Sequence, residues 1–364
     1  MELLLTTERG IEGIAAREVH ELIHRQASVA GEGRLRVRGS TGDILTLNYC
    51  SNSLHRVVLL LLESEFSTLN ELYSAVRSIA FEEYISPEQS FAVRASRVGE
   101  HDFTSMDIAR VAGQAVIDSY SEARGVRLKV NLDSPDVVVR VEVRESTCYV
   151  GIDTTGESLH RRGYRVYQHP APLKPSISYA LVRIAEWHPE ESLLDPFCGS
   201  GTICIEAARY AYRMPNLLRK DSFLFWKLRF LPLEEFRKMM ERAERRMKKR
   251  ELSVRGCDIS PKHVAGAKQN AERAGVGVSF FTCDATRVSL DCDKIVTNLP
   301  YGLRMGSRYR IAKLYKKFER NLFASDSWQR TVILTAAPEF FESEPAKRMD
   351  IMYGNLPTAI LVYE

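Results

Sequence analysis

The pattern of hydrophobic and polar residues divides the chain near residue 176. Before that point, short apolar strands and amphipathic helices mix without regular alternation, which favours an α+β organisation. After it, apolar strands alternate with helices at a spacing that is typical of a mostly parallel, doubly wound sheet. Such sheets bind ligands outside the carboxyl ends of their strands, where the strand order reverses. Functional side chains are therefore expected at strand ends.

Residues 1–155 are predicted to form two small units, 1–60 and 61–155. The first has a strand in LLLTT, a helix over 10–26 and a strand in RLRVRG, where apolar and basic residues alternate. The second begins near a candidate strand, VVLLLLES. It continues with helix LNELYSAVRSI, strand FAVRASRVG, helix SMDIARVAGQAVIDSY and two or three further strands. Ser105 is expected to cap the longer helix.

Residues 156–175, GESLHRRGYRVYQHPAPLKP, are rich in proline, glycine and basic residues. They are predicted to be an inter-domain linker that closes onto the next domain.

Residues 176–364 are predicted to form the sheet domain. The predicted helices are 176–187, 202–211, 261–274 and 309–322, and the predicted strands are 192–195, 253–257, 278–283, 293–297, 330–335 and 357–363. A helical insertion lies at about 212–252, with Glu234 and Glu235 first and basic residues last, as the helix dipole favours. Its basic end, Arg242 to Arg250, could contact nucleic acid or form a solvated charged face.

Composition sets broad limits. With 45% hydrophobic and 27% charged residues, the chain is an ordinary globular protein, and its net charge of +4 permits a nucleic-acid partner without requiring one. Seven cysteines without a C-x-x-C pair predict reduced, buried thiols and no metal site. No signal peptide is predicted, because MELLLTTERG has only three consecutive leucines before polar residues. No membrane span is predicted, because the longest apolar stretch, 57–62, is too short. A cytoplasmic location follows as the expectation.

The first candidate site is LLDPFCGSGTICIEAA, where a strand ends at Asp195 and a glycine-containing loop opens a helix. Glycines let a ligand approach the backbone, and a helix N-terminus offers free N–H groups, although a tight turn without a ligand is the alternative. The wording D-P-F-C-G-S-G-T resembles the first motif of class I S-adenosylmethionine-dependent methyltransferases, with their Rossmann-like seven-stranded sheet. There, this loop holds the methionine end of the cofactor. The resemblance implies cofactor contacts from Asp195, Pro196, Phe197, Gly199, Ser200, Gly201 and Thr202.

Two further acidic residues end neighbouring strands. An acid at the position of Asp258 can accept both hydroxyls of a ribose, with Ile259 and Ser260 beside it, whereas helix capping by Asp258 is the alternative. Asp284 and Ala285 match the position that binds adenine in the resembled family. A surface aspartate is the alternative there.

The stretch Asn298-Leu299-Pro300-Tyr301 resembles the (D/N)-P-P-(Y/F) motif of methyltransferases that act on NH₂ groups. The lone pair of such an amine is delocalised, so acceptors must hold its protons and turn the lone pair toward the methyl group. The Asn298 side-chain oxygen and the Pro300 carbonyl could accept hydrogen bonds from those protons, and Tyr301 could stack on a flipped-out base. Leu299 departs from the motif of the DNA adenine and release-factor glutamine enzymes. Catalytic roles are therefore predicted for Asn298, Pro300 and Tyr301, with Asn298 also beside the cofactor.

In the resembled enzymes, the segment before the first helix of the sheet domain folds over the cofactor. The resemblance implies contacts from His169, Pro170, Ala171, Leu173 and Pro175. Taken alone, His169 would more often be structural.

The N-terminal half resembles a ferredoxin-like domain followed by a THUMP domain, so the whole chain resembles the THUMP-domain tRNA guanine-N2-methyltransferases. The N-L-P-Y motif is most similar to the branch that methylates guanosine 6 of the acceptor stem, and the guanosine 10 branch is the alternative. The resemblance implies that THUMP holds the 3′ end of tRNA, and no obligate protein partner is evident. Basic residues that could meet phosphates are Arg94, Arg97, Arg110, Arg124, Arg127 and Lys129.

Two alternatives from other classes stay open: a non-catalytic RNA-binding protein, and a protein-glutamine methyltransferase. THUMP domains also occur in a thiouridine synthetase and in a deaminase partner. Neither class is expected here, because the sequence has neither the S-G-G-x-D-S loop of the synthetases nor the zinc motifs of the deaminases.

Overall fold

The computed structural model describes residues 1–300 and 308–364. Two sheets organise the described chain. The first half holds strands β1 (Glu2–Thr6), β2 (Ser28–Gly31), β3 (Arg34–Arg38), β4 (Arg56–Glu65), β5 (Ser90–Val98), β6 (Lys129–Val130), β7 (Val137–Arg144) and β8 (Thr147–Asp153). Its helices are α1 (Glu12–Ile23), α2 (Thr41–Cys50), α3 (Leu69–Arg77) and α4 (Ser105–Arg124).

The first sheet has eight strands in the order β2-β3-β1-β4-β8-β7-β5-β6. Only the pairings of β5 with β7 and β6 are parallel. Strand β4 pairs with β1 on one side and β8 on the other, so one sheet runs through both predicted N-terminal units. The mixed topology agrees with the predicted α+β organisation.

Helix ends in this half are set by side-chain caps. Thr104 caps α4 in a capping box with Asp107, so the prediction of Ser105 as cap is wrong by one residue. Helix α2 has the same kind of box, Ser40 with Asp43, and had no counterpart in the sequence prediction. Five of its ten residues are buried, including three consecutive ones at 47–49, so no clear polar face marks its period.

The second half holds strands β9 (Leu193–Asp195), β10 (Val254–Asp258), β11 (Ser279–Thr282), β12 (Lys294–Asn298), β13 (Arg330–Thr335), β14 (Lys347–Tyr353) and β15 (Leu356–Tyr363). Its helices are α5 (Pro175–Ile184), α6 (Thr202–Ala211), α7 (Leu233–Arg245), α8 (Pro261–Ala274) and α9 (Arg308–Phe323). Helices α6 and α8 have their predicted bounds, and no end of a predicted strand moves by more than one residue.

The second sheet has seven strands in the order β11-β10-β9-β12-β13-β15-β14, which confirms the predicted sheet. The five strands from β11 to β13 are parallel, and β15 is antiparallel to both neighbours. The chain runs outward from β9 through β10 to β11, then returns to β12. The strand order therefore reverses between β9 and β12, and a ligand site is expected at their carboxyl ends. Edge strand β14 lacked a prediction because charged residues interrupt its apolar pattern.

The insertion at 212–252 packs against the N-terminal half of the chain, which holds the eight-stranded sheet. Phe225 and Phe236 are fully buried in the same hydrophobic cluster as the strands of the first sheet. Phe225 N donates to the Thr154 carbonyl over 2.9 Å, and the Tyr49 hydroxyl donates to Glu244 over 2.8 Å. The insertion thus joins the two halves of the chain.

Among the described residues, no helix has both the length and the apolarity needed to cross a lipid bilayer.

Candidate functional site

A cavity of about 630 Å³ opens at the point where the strand order reverses. That volume lies in the range of small-molecule and cofactor sites. The predicted site residues on its walls are His169, Pro170, Ala171, Leu173, Asp195, Pro196, Phe197, Gly199, Ser200, Thr202, Asp258, Ile259, Ser260, Asp284, Ala285, Asn298 and Pro300. Pro175 and Gly201 do not line the cavity, and Tyr301 lies outside the described residues.

Gly201 shapes the loop although it does not line the cavity. Its φ of +79° is in the left-handed region, where glycine is favoured, and it is the N-cap residue that precedes α6. A Cβ at this position would lie 2.7 Å from the Phe280 ring and 3.0 Å from the Ala267 Cβ. Glycine is therefore required both by the backbone conformation and by the packing of α6 against the sheet.

Asp195, at the end of β9, is almost fully buried in the cavity wall. Its Oδ1 accepts hydrogen bonds from the Thr297 hydroxyl (2.7 Å) and the Phe197 N–H (3.1 Å). Burial raises the pKa of this carboxyl to about 7, more than the two hydrogen bonds lower it, and Asp258 adds to the rise. A positively charged group entering the cavity would favour the ionised form.

Asp258 ties together two elements of the wall. One oxygen accepts from the Gly199 N–H (3.1 Å), and the other accepts from the Ser260 N–H (2.9 Å). The His263 ring nitrogen Nδ1 lies 3.4 Å from that second oxygen. Ser260 itself caps α8 by accepting from His263 N–H, so Asp258 is not needed as the cap. Its carboxylate organises the glycine loop from the neighbouring strand.

Asp284 lies on the rim, with its side chain 43% exposed. Hydrogen bonds from the N–H and hydroxyl of Thr286 hold the carboxylate and lower its pKa. Asp284 thus lines the cavity at its edge, where its carboxylate is open to a ligand as well as to solvent.

The segment before α5 is fastened over the cavity by Asn270, a fully buried residue of α8. Its Oδ1 accepts from the Val166 and Tyr167 N–H groups (2.9 Å each). Its Nδ2 donates to the carbonyls of Tyr167 and Ser200 (3.1 Å each). One side chain therefore joins the linker, α8 and the glycine loop.

His169 is packed edge-on against His263, with ring centroids 4.3 Å apart. Burial lowers the pKa of His169, so the neutral ring is favoured. The structure thus places His169 in the wall, near the backbone of Gly199.

Asn298 ends β12 beside Asp195. Its Oδ1 is buried and accepts no hydrogen bond from any described residue. Leaving such an acceptor unpaired costs about 1–3 kcal/mol, so a donor is expected to reach it in function. Next along the chain, the Leu299 N–H donates to the Leu334 carbonyl over 3.0 Å and extends the pairing with β13. A proline at 299 could not do this, which gives the departure from N-P-P-Y a structural reason.

The sequence prediction missed five cavity residues: Cys198, Ile203, His263, Leu299 and Leu314. Two of them, Cys198 and Ile203, lie in the glycine loop and in the helix that follows it, next to residues that the sequence does predict. His263 could have been found, because it stands three residues after the cap Ser260, on the turn that faces Asp258. Leu314 comes from α9, and no motif marks it.

Two cysteines beside the cavity are not free thiols. Cys257 and Cys283 form a disulfide, so the prediction of reduced cysteines is wrong for this pair. They lie near the carboxyl ends of the adjacent strands β10 and β11, where the fold brings residues far apart in sequence together. Each immediately precedes one of the acids, Asp258 or Asp284.

The walls fit S-adenosylmethionine. A glycine loop with two left-handed residues, a buried carboxyl and a second carboxylate at the next strand end are the groups that an amino-acid moiety and a ribose require. The unpaired Asn298 oxygen adds an acceptor for a second substrate. Within the described chain, no three His, Cys, Asp or Glu side chains are grouped as metal ligands would be.

Comparison with known proteins agrees with this site. Residues 162–355 match the RMKL-like methyltransferase domain family, and residues 66–153 match the THUMP domain. The chain is 41% identical to a tRNA (guanine(6)-N2)-methyltransferase of Archaeoglobus fulgidus, over 98% of this chain and 91% of that protein. It is 36% identical to the protein of the same name from Methanocaldococcus jannaschii, over 99% of both.

A solved structure with the same overall fold is that of a possible methylase from Clostridium difficile. It superposes with a TM-score of 0.90 at 26% identity, covering 100% of this chain and 97% of that one. The chain therefore belongs to the RMKL-like methyltransferase family, with a THUMP domain ahead of its methyltransferase domain.

Proposed function

We propose that the protein is an S-adenosylmethionine-dependent tRNA methyltransferase that forms N2-methylguanosine at position 6 of the acceptor stem. The observation that carries the chemistry is the buried, unpaired Oδ1 of Asn298 at the reversal point of the sheet. The observation that carries the target is the near full-length similarity to two tRNA (guanine(6)-N2)-methyltransferases.

The residues around Asn298 would prepare the guanine amine. Asn298 Oδ1 would accept a hydrogen bond from one N–H of the amine and the Pro300 carbonyl from the other, which would direct the nitrogen lone pair into the cavity. S-adenosylmethionine supplies the electrophilic methyl group. As the bond to nitrogen forms, the bond from the methyl group to sulfur would break and S-adenosylhomocysteine would leave. No strong base is required, because the amine becomes acidic once it carries the methyl group, and its surplus proton would pass to solvent. Positioning by preorganised acceptors is then the main contribution to the rate.

The other walls would hold the cofactor. Asp195 lies where the loop that holds the methionine end begins, and ionisation there would attract an ammonium group. Asp258 and Ile259 would face the ribose, and Asp284 with Ala285 the adenine. The segment before α5, which Asn270 holds through Val166 and Tyr167, would close the cavity on the side of His169. These roles rest on where the side chains lie at the strand ends.

The N-terminal half would bind the tRNA. Residues 61–155, which contain the THUMP match, would hold the 3′ end, with residues 1–60 as a ferredoxin-like unit and 156–175 as the joint to the catalytic domain at 176–364. The side chains of Arg94, Arg97, Arg110, Arg124, Arg127 and Lys129 are all exposed. Each could contact a phosphate. A tRNA substrate also implies a cytoplasmic place of action, and we propose that no second protein is needed.

The test is to incubate the protein with labelled S-adenosylmethionine and unmodified total tRNA, and to analyse the nucleosides by mass spectrometry. N2-methylguanosine that maps to position 6 is expected. Mapping to position 10 would refute the proposed target while keeping the reaction. Label in protein alone would favour the glutamine alternative, and bound cofactor without any transfer would favour a non-catalytic RNA-binding protein.

A further inference from the structure

Helix α9 presents a basic surface to solvent next to the cavity. Ile311, Tyr315, Phe318 and Leu322 bury one face of this helix against the sheet. The only acidic residue of the helix, Glu319, is also buried and accepts hydrogen bonds from the Glu342 and Ser343 N–H groups. All charged side chains on the exposed side are therefore cations.

These cations fall into two sets. On one flank, Arg308 pairs with Glu339 at 3.0 Å and Lys316 with Glu342 at 2.6 Å. The other set, Arg310, Lys313, Lys317 and Arg320, has no carboxylate within 4.0 Å in the part of the chain that the structure describes. We call this second set the α9 stripe.

The α9 stripe follows the period of the helix. Its members stand at positions i, i+3, i+7 and i+10, which lie along one side of an α-helix. Like charges at this spacing repel one another, so the stripe destabilises the free helix unless anions neutralise it. It extends for about 15 Å, at 1.5 Å per residue. One strand of a nucleic acid places several phosphates over that distance.

The stripe borders the site of methyl transfer. Leu314 of α9 lines the cavity, and Arg310 and Lys317 stand four residues before it and three after it, on the same side of the helix. Lys317 is also close enough to Asp284 to help lower its pKa, after Thr286 and Arg287. Anything bound along the stripe thus lies at the rim of the cavity.

Resting on the proposed function, we infer that the α9 stripe binds the phosphates of the RNA strand that carries the target guanosine. The stripe would hold the backbone at the rim while the base turns into the cavity toward Asn298. This role is separate from that of the THUMP region, because the stripe is on the catalytic domain beside the reacting base. The basic end of the insertion is a weaker candidate, since Arg245 and Arg250 already pair with Glu241 and Glu190.

The test compares two double variants of the same helix that lose the same charge. Lys313→Gln with Lys317→Gln removes half of the stripe, and Arg308→Gln with Lys316→Gln removes the two cations that already have partners. Binding of unmodified tRNA is measured between 50 and 200 mM salt, together with the KM for tRNA and the affinity for S-adenosylhomocysteine. The stripe variant is expected to lower the slope of log affinity against log salt by about 1.4, at about 0.7 per lost contact with a single strand.

In the stripe variant, the KM for tRNA should rise and the affinity for S-adenosylhomocysteine should stay unchanged. In the control variant, the salt slope of tRNA binding should change by less than half of the amount expected for the stripe variant. Equal slopes in wild type and stripe variant, or equal losses in both variants, would refute the inference while wild-type methylation still supports the proposed function. A different outcome would separate the two proposals. If the wild-type protein transfers no methyl group, but the stripe variant still lowers the salt slope of tRNA binding, the proposed function is refuted and the inference about the stripe is supported.

Discussion

The hydroxyl of Tyr315 donates a hydrogen bond to the carbonyl oxygen of Pro300 over 3.3 Å. The same hydroxyl is 2.7 Å from the Thr335 hydroxyl, which accepts from the Ala337 N–H. This chain of hydrogen bonds runs from β13 through α9 to the carbonyl that is proposed to hold the guanine amine. We therefore expect Tyr315 to act as a positioning residue, whose hydroxyl supports the acceptor that the proposed function assigns to Pro300.

Tyr315→Phe keeps the buried ring and removes only the hydroxyl. We expect kcat to fall several-fold, because the Pro300 carbonyl loses its support, while KM for tRNA and the affinity for S-adenosylhomocysteine change little. Loss of the hydrogen bonds should also cost about 1–2 kcal/mol of unfolding free energy. Steady-state kinetics and chemical denaturation check both parts. A kcat equal to that of the wild type would show that the carbonyl needs no support.

Asn298→Ala separates catalysis from stability. Removing the acceptor should lower kcat by about a hundredfold, by analogy with the loss of one preorganised hydrogen-bonding group in an active site. Cofactor binding should stay nearly intact. Stability should stay equal or rise, because a buried acceptor without a described partner is removed. An equal loss of cofactor binding, measured by calorimetry, would contradict the assignment of Asn298 to the amine.

Asp195 should make cofactor binding depend on pH. Burial raises the pKa of Asp195 to about 7, so the folded protein keeps this proton to a higher pH than the unfolded chain does. The proton's contribution to the unfolding free energy is complete below the unfolded pKa near 4 and is lost as the pH rises through 7. An ammonium group prefers the ionised form. The affinity for S-adenosylhomocysteine should therefore rise about tenfold from pH 6 to pH 8, following the ionised fraction.

Asp195→Asn is the control for this prediction, since the amide cannot ionise. Its affinity should be weak and nearly independent of pH over the same range. A flat profile in the wild type would mean that Asp195 does not face the ammonium group.

The parts of the site that the sequence could predict are those set by local chemistry. Glycine loops, acids after apolar strands and the cap at Ser260 all leave a pattern within a few residues. Contacts made by chain segments far apart in sequence leave none. Tyr315 reads as an ordinary core position of a helix, Asn270 as one polar residue among several in α8, and the packing of the insertion on the first sheet depends on where that sheet lies.

Asn270→Ala tests the fastening of the linker. Without the side chain, the Tyr167 N–H loses its acceptor and the Val166 N–H keeps only the Tyr164 carbonyl, so we expect a loss of about 2–4 kcal/mol in unfolding free energy. The affinity for S-adenosylhomocysteine should fall as well, because the segment that carries His169 is released. Gln269→Ala, at an exposed position of the same helix, is the control and should be neutral. Equal behaviour of the two variants would show that the fastening has no effect.

The disulfide between Cys257 and Cys283 should support both the fold and the cavity. It closes a loop with a sequence separation of 26, for which cross-linking is expected to contribute about 3 kcal/mol to unfolding free energy. It also joins the two strands that place Asp258 and Asp284, so reduction should lower both the thermal midpoint and the affinity for S-adenosylhomocysteine. Thiol titration of the unfolded, unreduced protein should find five free thiols, the remainder of the seven cysteines. Seven titratable thiols would show that the two strands are held by packing and backbone hydrogen bonds alone.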